Sequence, residues 1–291
     1  MLLKATVVMD NMVSHVVKKP FRAEHGLAVL LETGGKRFLF DTGPSDLILH
    51  NLSLIGLHPR ELDGIILSHG HSDHAGGLAA VLAHAGRQMP VYCHPEAFGP
   101  RYSLIKTPPR YAGMPFGREY LVSLGAEFVL CEQPLELAPG LWFAGPVPRT
   151  TDFETGDPNL VVPDEGCCAG CGCSGSAAGY RRDCFADDTA MFWRSEKGLV
   201  VFGGCAHSGI VNIIRHGLKL TGMSRLHGLL GGTHLGPASQ AQIDATLAEL
   251  AELEPDFVAA NHCTGFAVMA RLQEAFGPRF IPACVGTVIE C

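Results

Sequence analysis

Residues 65–77 read IILSHGHSDHAGG, and no other stretch of the 291-residue chain limits the possible folds so severely. Ile65, Ile66 and Leu67 form an apolar run that predicts a short buried strand ending at Ser68. His69, His71, Asp73 and His74 follow within six residues, and Gly76 and Gly77 break the backbone again. Imidazoles and a carboxylate are the donors that a borderline divalent cation prefers. Four of them on a loop leaving a buried strand converge only if the loop wraps around something. His69 and His71 are separated by one residue and can face one side, whereas Asp73 and His74 lie past the bend and can face another. That division suits two adjacent ions. The bland alternative, a polar loop with chance histidines, is hard to reconcile with this density of donors.

The pattern of strand, glycine break and donor recurs. Residues 199–202 predict a buried strand that ends in Gly203-Gly204-Cys205-Ala206-His207. Residues 229–235 (LLGGTHL) repeat it with His234, and the strand expected at 257–260 delivers His262 within NHCTG. Rigid strands can thus aim His69, His207, His234 and His262 from separate parts of the chain into one cleft. His234 can serve as a substrate-facing acid or base, as a ligand, or as a buried structural histidine. Residues 210–218 predict a helix whose N-terminus faces the cleft, an end that attracts a phosphate or carboxylate.

Other elements follow from alternation and turn signals. Strands are expected at 3–9, 27–32, 37–40, 91–93, 189–193 and 280–289, with two more between 119 and 145. Helices are expected at 45–55, with Ser45 as N-cap, and at 78–85, 239–252 and 266–276. His94, at the end of its strand, reads as structural or substrate-adjacent. Residues 95–118 form an irregular stretch rich in Pro, Gly and aromatics that carries Arg101, Tyr102, Lys106, Arg110 and Tyr111. Such a loop suits either a lid that grips an anionic substrate or a solvated basic surface.

The stretches EHGLAVLLE (24–32), FLFDTG (38–43), LSHGHSDHAGG (67–77), GLVVFGGCAHSGIVNII (198–214), LLGGTHL (229–235), NHCTG (261–265) and VGTVIE (285–290) carry a resemblance. They resemble the metallo-β-lactamase superfamily, and within it the branch of dihydropterin–ribofuranosylaminobenzene-phosphate synthase-like metallohydrolases. The resemblance implies an α/β fold, an αββα sandwich of two mixed sheets flanked by helices, with a one- or two-metal site along one edge of the sheets. It makes Asp10-Asn11 the family's opening polar pair and Asp41 a buttress of the metal loop. It assigns His207 and His262 as further ligands. One ion would then be held by His69, His71 and His207, and the other by Asp73, His74 and His262. Many members place a bridging Asp where this chain has Cys205, so either Cys205 or Asp188 is left to complete the site.

The length suits one sandwich domain spanning residues 1–291, in which residues 164–184 look like an insertion. Five of the chain's eleven cysteines lie there, at Cys167, Cys168, Cys171, Cys173 and Cys184. Crowding of that kind points to a cofactor rather than to disulfides. Four thiolates make a tetrahedral zinc site or an iron–sulfur cluster, and a flexible Gly/Ser/Cys loop is the plain alternative. A cluster would imply electron transfer and a redox partner, while a structural clasp is equally compatible. The formal charge of −7 argues against a nucleic-acid partner, and no run of eighteen apolar residues spans a membrane. The N-terminus lacks the shape of a signal peptide, so a cytoplasmic location is expected.

Two divalent ions, zinc or alternatively iron or manganese, would sit roughly 3.5–4 Å apart and let a bridging water ionise near neutral pH. Asp73, as proton acceptor, and His234 are the catalytic candidates. No G-x-S-x-G elbow supplies a protein nucleophile. Three activities remain open: a metal-dependent hydrolase of an anionic small molecule, a pterin-linked condensing synthase, and a redox protein using the cysteines. The family's di-iron oxidoreductases carry Glu where this chain has His71, which counts against the last. A non-catalytic binding module would need a broken donor set.

Overall fold

The structure, a computed structural model, describes residues 2–14, 16, 18–164 and 179–291. The chain opens with β1 (Leu3–Met9), β2 (Ala28–Thr33) and β3 (Lys36–Phe40), then α1 (Leu47–Leu54) and β4 (Gly64–Ile66). The single turn α2 (Ser72–Ala75) and helix α3 (Leu78–Ala85) lead to β5 (Met89–Cys93). The short β6 (Tyr102–Ser103) and β7 (Arg110–Tyr111) precede α4 (Arg118–Ser123), β8 (Ala126–Leu130), β9 (Leu135–Ala138) and β10 (Leu141–Phe143). Next come β11 (Leu160–Pro163), β12 (Tyr180–Arg182), β13 (Ala190–Ser195) and β14 (Gly198–Gly203). The chain ends with α5 (Ile210–Thr221), β15 (Leu226–Gly232), α6 (Gln240–Glu252), β16 (Phe257–Asn261), α7 (Phe266–Phe276) and β17 (Val288–Glu290).

Two mixed sheets face one another. One runs β17-β1-β2-β3-β4-β5-β8 and the other β16-β15-β14-β13-β10-β9. Their strands read as near-continuous apolar runs because both faces are covered. Val7, Leu31, Phe40 and Ile66 point inward and meet Phe143, Trp193, Val200 and Phe202 of the opposite sheet. Their neighbours Val8, Leu30, Leu39 and Ile65 point outward against Ile48 and Leu52 of α1 and Leu78 and Leu82 of α3. On the far side Phe192, Leu199, Val201 and Leu229 pack on Ile210, Ile213 and Ile214 of α5, Leu250 of α6 and Leu272 of α7. These are three apolar layers between helices, sheet, sheet and helices, the αββα sandwich expected from the sequence.

Three expectations change. The last strand is shorter than 280–289: Phe280 and Val285 make only isolated bridges, to Val258 and Val13, and regular pairing begins at Val288. Pro282 and Gly286 interrupt the run, since proline cannot donate to a ladder. Helix α1 is preceded by Asp46 rather than Ser45, although Ser45 Oγ still accepts from Leu47 N at 3.1 Å. Residues 95–118 are not wholly irregular: β6 and β7 join β11 and β12 in a third, four-stranded sheet. Tyr102 packs edge-on against Tyr111 and Tyr180 there, with ring centroids 5.4 and 5.2 Å apart. Among the described residues no helix is long and apolar enough to cross a membrane.

Candidate metal centre

The histidines and Asp73 expected from the sequence as donors all follow strand ends, whereas Asp188 lies just before β13. His69 follows β4, and His71, Asp73 and His74 surround the turn α2. His207, His234 and His262 follow β14, β15 and β16. The loop after β4 is moored on both sides. Ser68 N and Oγ donate to Asp41 Oδ1 and Oδ2, each at 2.7 Å, and Gly70 N donates to Asp187 Oδ2 at 2.8 Å. A Cβ at position 70 would run into the carbonyl of Ala97, so glycine is required there by space alone. Six non-glycine residues among those described have positive φ, and Asp41, Phe185, Ala206, His234 and His262 border this centre. Strained backbone of this kind concentrates at functional sites.

In the first donor set, His71 Nδ1 lies 3.0 Å from His69 Nε2 and 3.1 Å from His207 Nε2. The proton positions follow from the surrounding bonds. Ser68 Oγ gives its only hydrogen to Asp41, so it accepts from His69 Nδ1 at 2.8 Å, and His69 Nε2 keeps a bare lone pair. Burial holds His71 at about 3, and burial with the neighbouring imidazoles puts His69 and His207 well below the ordinary histidine value. Neutral rings leave at most one hydrogen on His71 Nδ1, which can satisfy one neighbour but not both. A cation among the three nitrogens satisfies all of them. The ring of Phe185 stacks on His207 at 4.3 Å and closes one side.

The second set is held by two anchors. His74 Nδ1 donates to Asp41 Oδ2 at 2.7 Å, which turns Nε2 toward His262 Nε2 at 3.2 Å and Cys205 Sγ at 3.1 Å. His262 Nδ1 donates to Asn11 Oδ1 at 3.0 Å, and Asp10 Oδ1 accepts from His262 N at 2.9 Å. The Asn11 amide is itself oriented, since Oδ1 accepts from Gly26 N and Nδ2 donates to His262 O. Asp73 Oδ2 lies 3.4 Å from His262 Nε2 and 3.9 Å from His74 Nε2. Burial disfavours a charged His74, but Asp41 and Asp73 outweigh it and raise the group to about 9. Asp73 is held below the usual carboxylate range because His74 and His262 outweigh its burial. This pocket therefore attracts positive charge, which a divalent ion supplies in place of a proton.

Asparagine at position 41 tests the anchor. It tolerates the φ of 59° but offers one acceptor oxygen to Ser68 N, Ser68 Oγ and His74 Nδ1. Asp41→Asn is expected to weaken metal binding about 10–100-fold, read by competition with a chromophoric chelator. Unchanged affinity would mean that Asp41 does not orient His74.

The sequence pattern that defines the metallo-β-lactamase superfamily matches residues 22–176. The chain belongs to the metallo-β-lactamase superfamily. A Methanocaldococcus jannaschii protein named 7,8-dihydropterin-6-methyl-4-(β-D-ribofuranosyl)-aminobenzene-5′-phosphate synthase is 30% identical over 284 residues, covering 93% of this chain and 91% of its own. An uncharacterised protein of the same organism is 30% identical over 96% of this chain and 98% of its own. Among solved structures, Tm1679, a metal-dependent hydrolase of the β-lactamase superfamily, superposes with a TM-score of 0.79 at 27% identity, covering 99% of each chain.

Within this superfamily frame, several donors take places that the sequence left open. His25, in the stretch EHG, carries no ligand spacing in the sequence, yet its Nε2 lies 3.4 Å from Asp73 Oδ2 and groups with Asp73 and His262. Cys205, at the position of the bridging Asp, points its sulfur at His74, whereas Asp188 accepts backbone hydrogen bonds from His207 N and Ser208 N. His234 joins neither histidine set and groups instead with Cys205 and Cys263. His94 accepts from Glu96 N and caps a short turn. Cys167, Cys168, Cys171 and Cys173 lie outside the described residues, and with them the expected cluster; Cys184 is described, and its sulfur accepts from Arg181 Nη1 at 3.7 Å.

Two expectations about anion recognition are corrected. The N-terminus of α5 is already occupied: Glu154, 3% exposed, accepts from Val211 N at 2.8 Å and Asn212 N at 2.9 Å. The protein's own carboxylate fills the place that a substrate anion would take. Arg101 does not form part of a substrate-gripping lid either. It is buried and donates to Asp183 Oδ2 at 2.9 Å and Asp187 Oδ1 at 2.6 Å. A cavity of about 470 Å³ opens beside the first donor set, lined by Arg182, His207, Thr233, His234, Ser239 and Gln242 among others.

Proposed function

We propose that this protein is a metal-dependent hydrolase acting on a phosphorylated or otherwise anionic small molecule. The supporting observation is the pair of buried donor sets, of which His207 lines the cavity; in the first set the facing nitrogens of His69, His71 and His207 cannot all satisfy one another with hydrogens. His69, His71 and His207 would hold one ion, and Asp73, His74 and His262 the other, with His25 on the solvent side and Cys205 between them. Bound there, divalent ions supply Lewis acidity and lower the pKa of water toward 7. Asp73 accepts a proton at its carboxylate, and Asp41, Asn11 and Ser68 keep the imidazoles in the required tautomers. Arg182 borders the cavity and donates to the carbonyls of Thr155 and Gly156, at 2.6 and 2.9 Å, so it reaches the cavity as a fixed cation for an anionic group. His234 lines the same cavity.

A second reading has one specific observation in its favour: the 30% identity, over nearly the whole chain, to a protein named as a synthase of a ribofuranosyl-aminobenzene phosphate. In that reading the same residues would hold ions that supply Lewis acidity to a substrate oxygen, and no water would attack. The two are separated by incubating zinc-loaded protein with bis(p-nitrophenyl) phosphate. The hydrolase reading expects nitrophenolate release that a chelator stops and added zinc restores. No release from protein shown to carry ions at the histidine centre would overturn it and leave the synthase reading.

A further inference from the structure

The three parallel strands β14, β15 and β16 end side by side, with Gly203 opposite Gly231 and Gly232 opposite Asn261. Past their ends stand Cys205, His234 and Cys263, of which His234 and Cys263 belong to neither histidine set and Cys205 borders them. One donor atom from each lies within 4.8 Å of the other two. The arrangement is built rather than incidental. A Cβ at Gly232 would stand 2.6 Å from Cys263 Sγ, so glycine is what gives that sulfur its place. His234 N donates to Cys263 Sγ at 3.2 Å, the kind of amide contact that favours a thiolate. His234 takes a positive φ of 50° to present its ring here. Both its ring nitrogens are buried without a well-formed hydrogen bond, Nε2 coming no closer than 3.5 Å to Asp157 Oδ2.

We propose that Cys205, His234 and Cys263 form a third cation position, rich in sulfur and adjoining the histidine centre, with Cys205 at the corner shared by both. Two thiolates and an imidazole select a soft or borderline divalent ion, zinc above all. Binding releases the thiol protons to solvent and leaves both sulfurs reduced, so no electron acceptor is needed. Three protein donors leave one coordination place for water or an anionic ligand group, the count found where zinc does chemistry rather than where it braces a fold. Asp157 Oδ2 stands 3.5 Å from His234 Nε2, where a carboxylate would orient the ring once its other nitrogen held a cation. His234 lines the 470 Å³ cavity, so the position opens toward the same space as the histidine centre. Its contact with a bound molecule then runs through a cation, which replaces the acid–base role expected from the sequence.

The proposal does not depend on hydrolysis. Crystals of the full chain grown with zinc would be measured on both sides of the zinc absorption edge. An anomalous peak bonded to Cys205 Sγ, Cys263 Sγ and the His234 ring is expected, separate from the peak among His69, His71 and His207. In Cys263→Ser the first peak should vanish and the second persist. Cobalt titration of the same variant should bind one equivalent fewer and show weaker thiolate-to-cobalt charge-transfer absorption, the remainder coming from Cys205 at the shared corner. Peaks confined to the histidine centre in the unmutated protein would overturn the third position while leaving the metal centre intact. Absence of any peak at either place would overturn both.

Discussion

Alanine in place of His71 is expected to lower turnover of an activated phosphodiester more than about 10²-fold, a larger loss than follows when a group that only orients a ligand is removed. His71 Nδ1 lies within hydrogen-bond reach of both His69 Nε2 and His207 Nε2. Without it two nitrogens from separate strand ends remain, too few to hold a borderline cation in competition with water. Metal analysis should therefore find one ion fewer, while zinc held elsewhere stays. The variant also removes a crowded neutral imidazole from a buried cluster, so the metal-free protein should unfold at a similar urea concentration to the parent. Wild-type turnover in His71→Ala would remove the first donor set from the mechanism.

The metal loop was readable in the sequence because its donors are crowded into six residues after a buried strand, a local signal. The same holds for His207, His234 and His262, each announced by an apolar run and a glycine or polar break. The strands were readable because those covered on both faces are apolar without interruption, as Leu199–Phe202 are, whereas their assembly into a sandwich followed from the family resemblance. What escaped is set by partners distant in the chain. Glu154 reaches the start of α5 from 57 residues upstream, and nothing in its own neighbourhood marks it. Arg101 reads as a basic loop residue until Asp183 and Asp187, more than eighty positions on, are found against it. His25 carries no ligand spacing of its own and becomes a donor only when Asp73 and His262 are brought beside it. Cys263 was legible only as a neighbour of His262, since its sulfur finds Cys205 across two strands.

Methionine in place of Arg101 is expected to give the largest loss of stability. Arg101 is 3% exposed and is held by two carboxylates, Asp183 and Asp187. Removing the cation strands both in a site that excludes water, which typically costs about 3–5 kcal/mol. Urea unfolding of the metal-free proteins should show that drop with an unchanged slope. The loss reaches the metal centre as well, because the other oxygen of Asp187 holds Gly70 N between His69 and His71. Zinc affinity should therefore fall with stability. The pH dependence fixes the cause. Burial pushes Asp187 up to about 7 even with Arg101 beside it. Without Arg101 the folded value rises further, so the folded state binds a proton that the unfolded chain gives up, and stability falls as pH rises. The deficit of Arg101→Met should be wider at pH 8 than at pH 6. Changing Asp183 and Asp187 to asparagine in the same variant should recover most of the loss, since no carboxylate then remains to be ionised. A deficit under about 1 kcal/mol at pH 8 would show that water reaches these carboxylates and that the triad does not brace the loop.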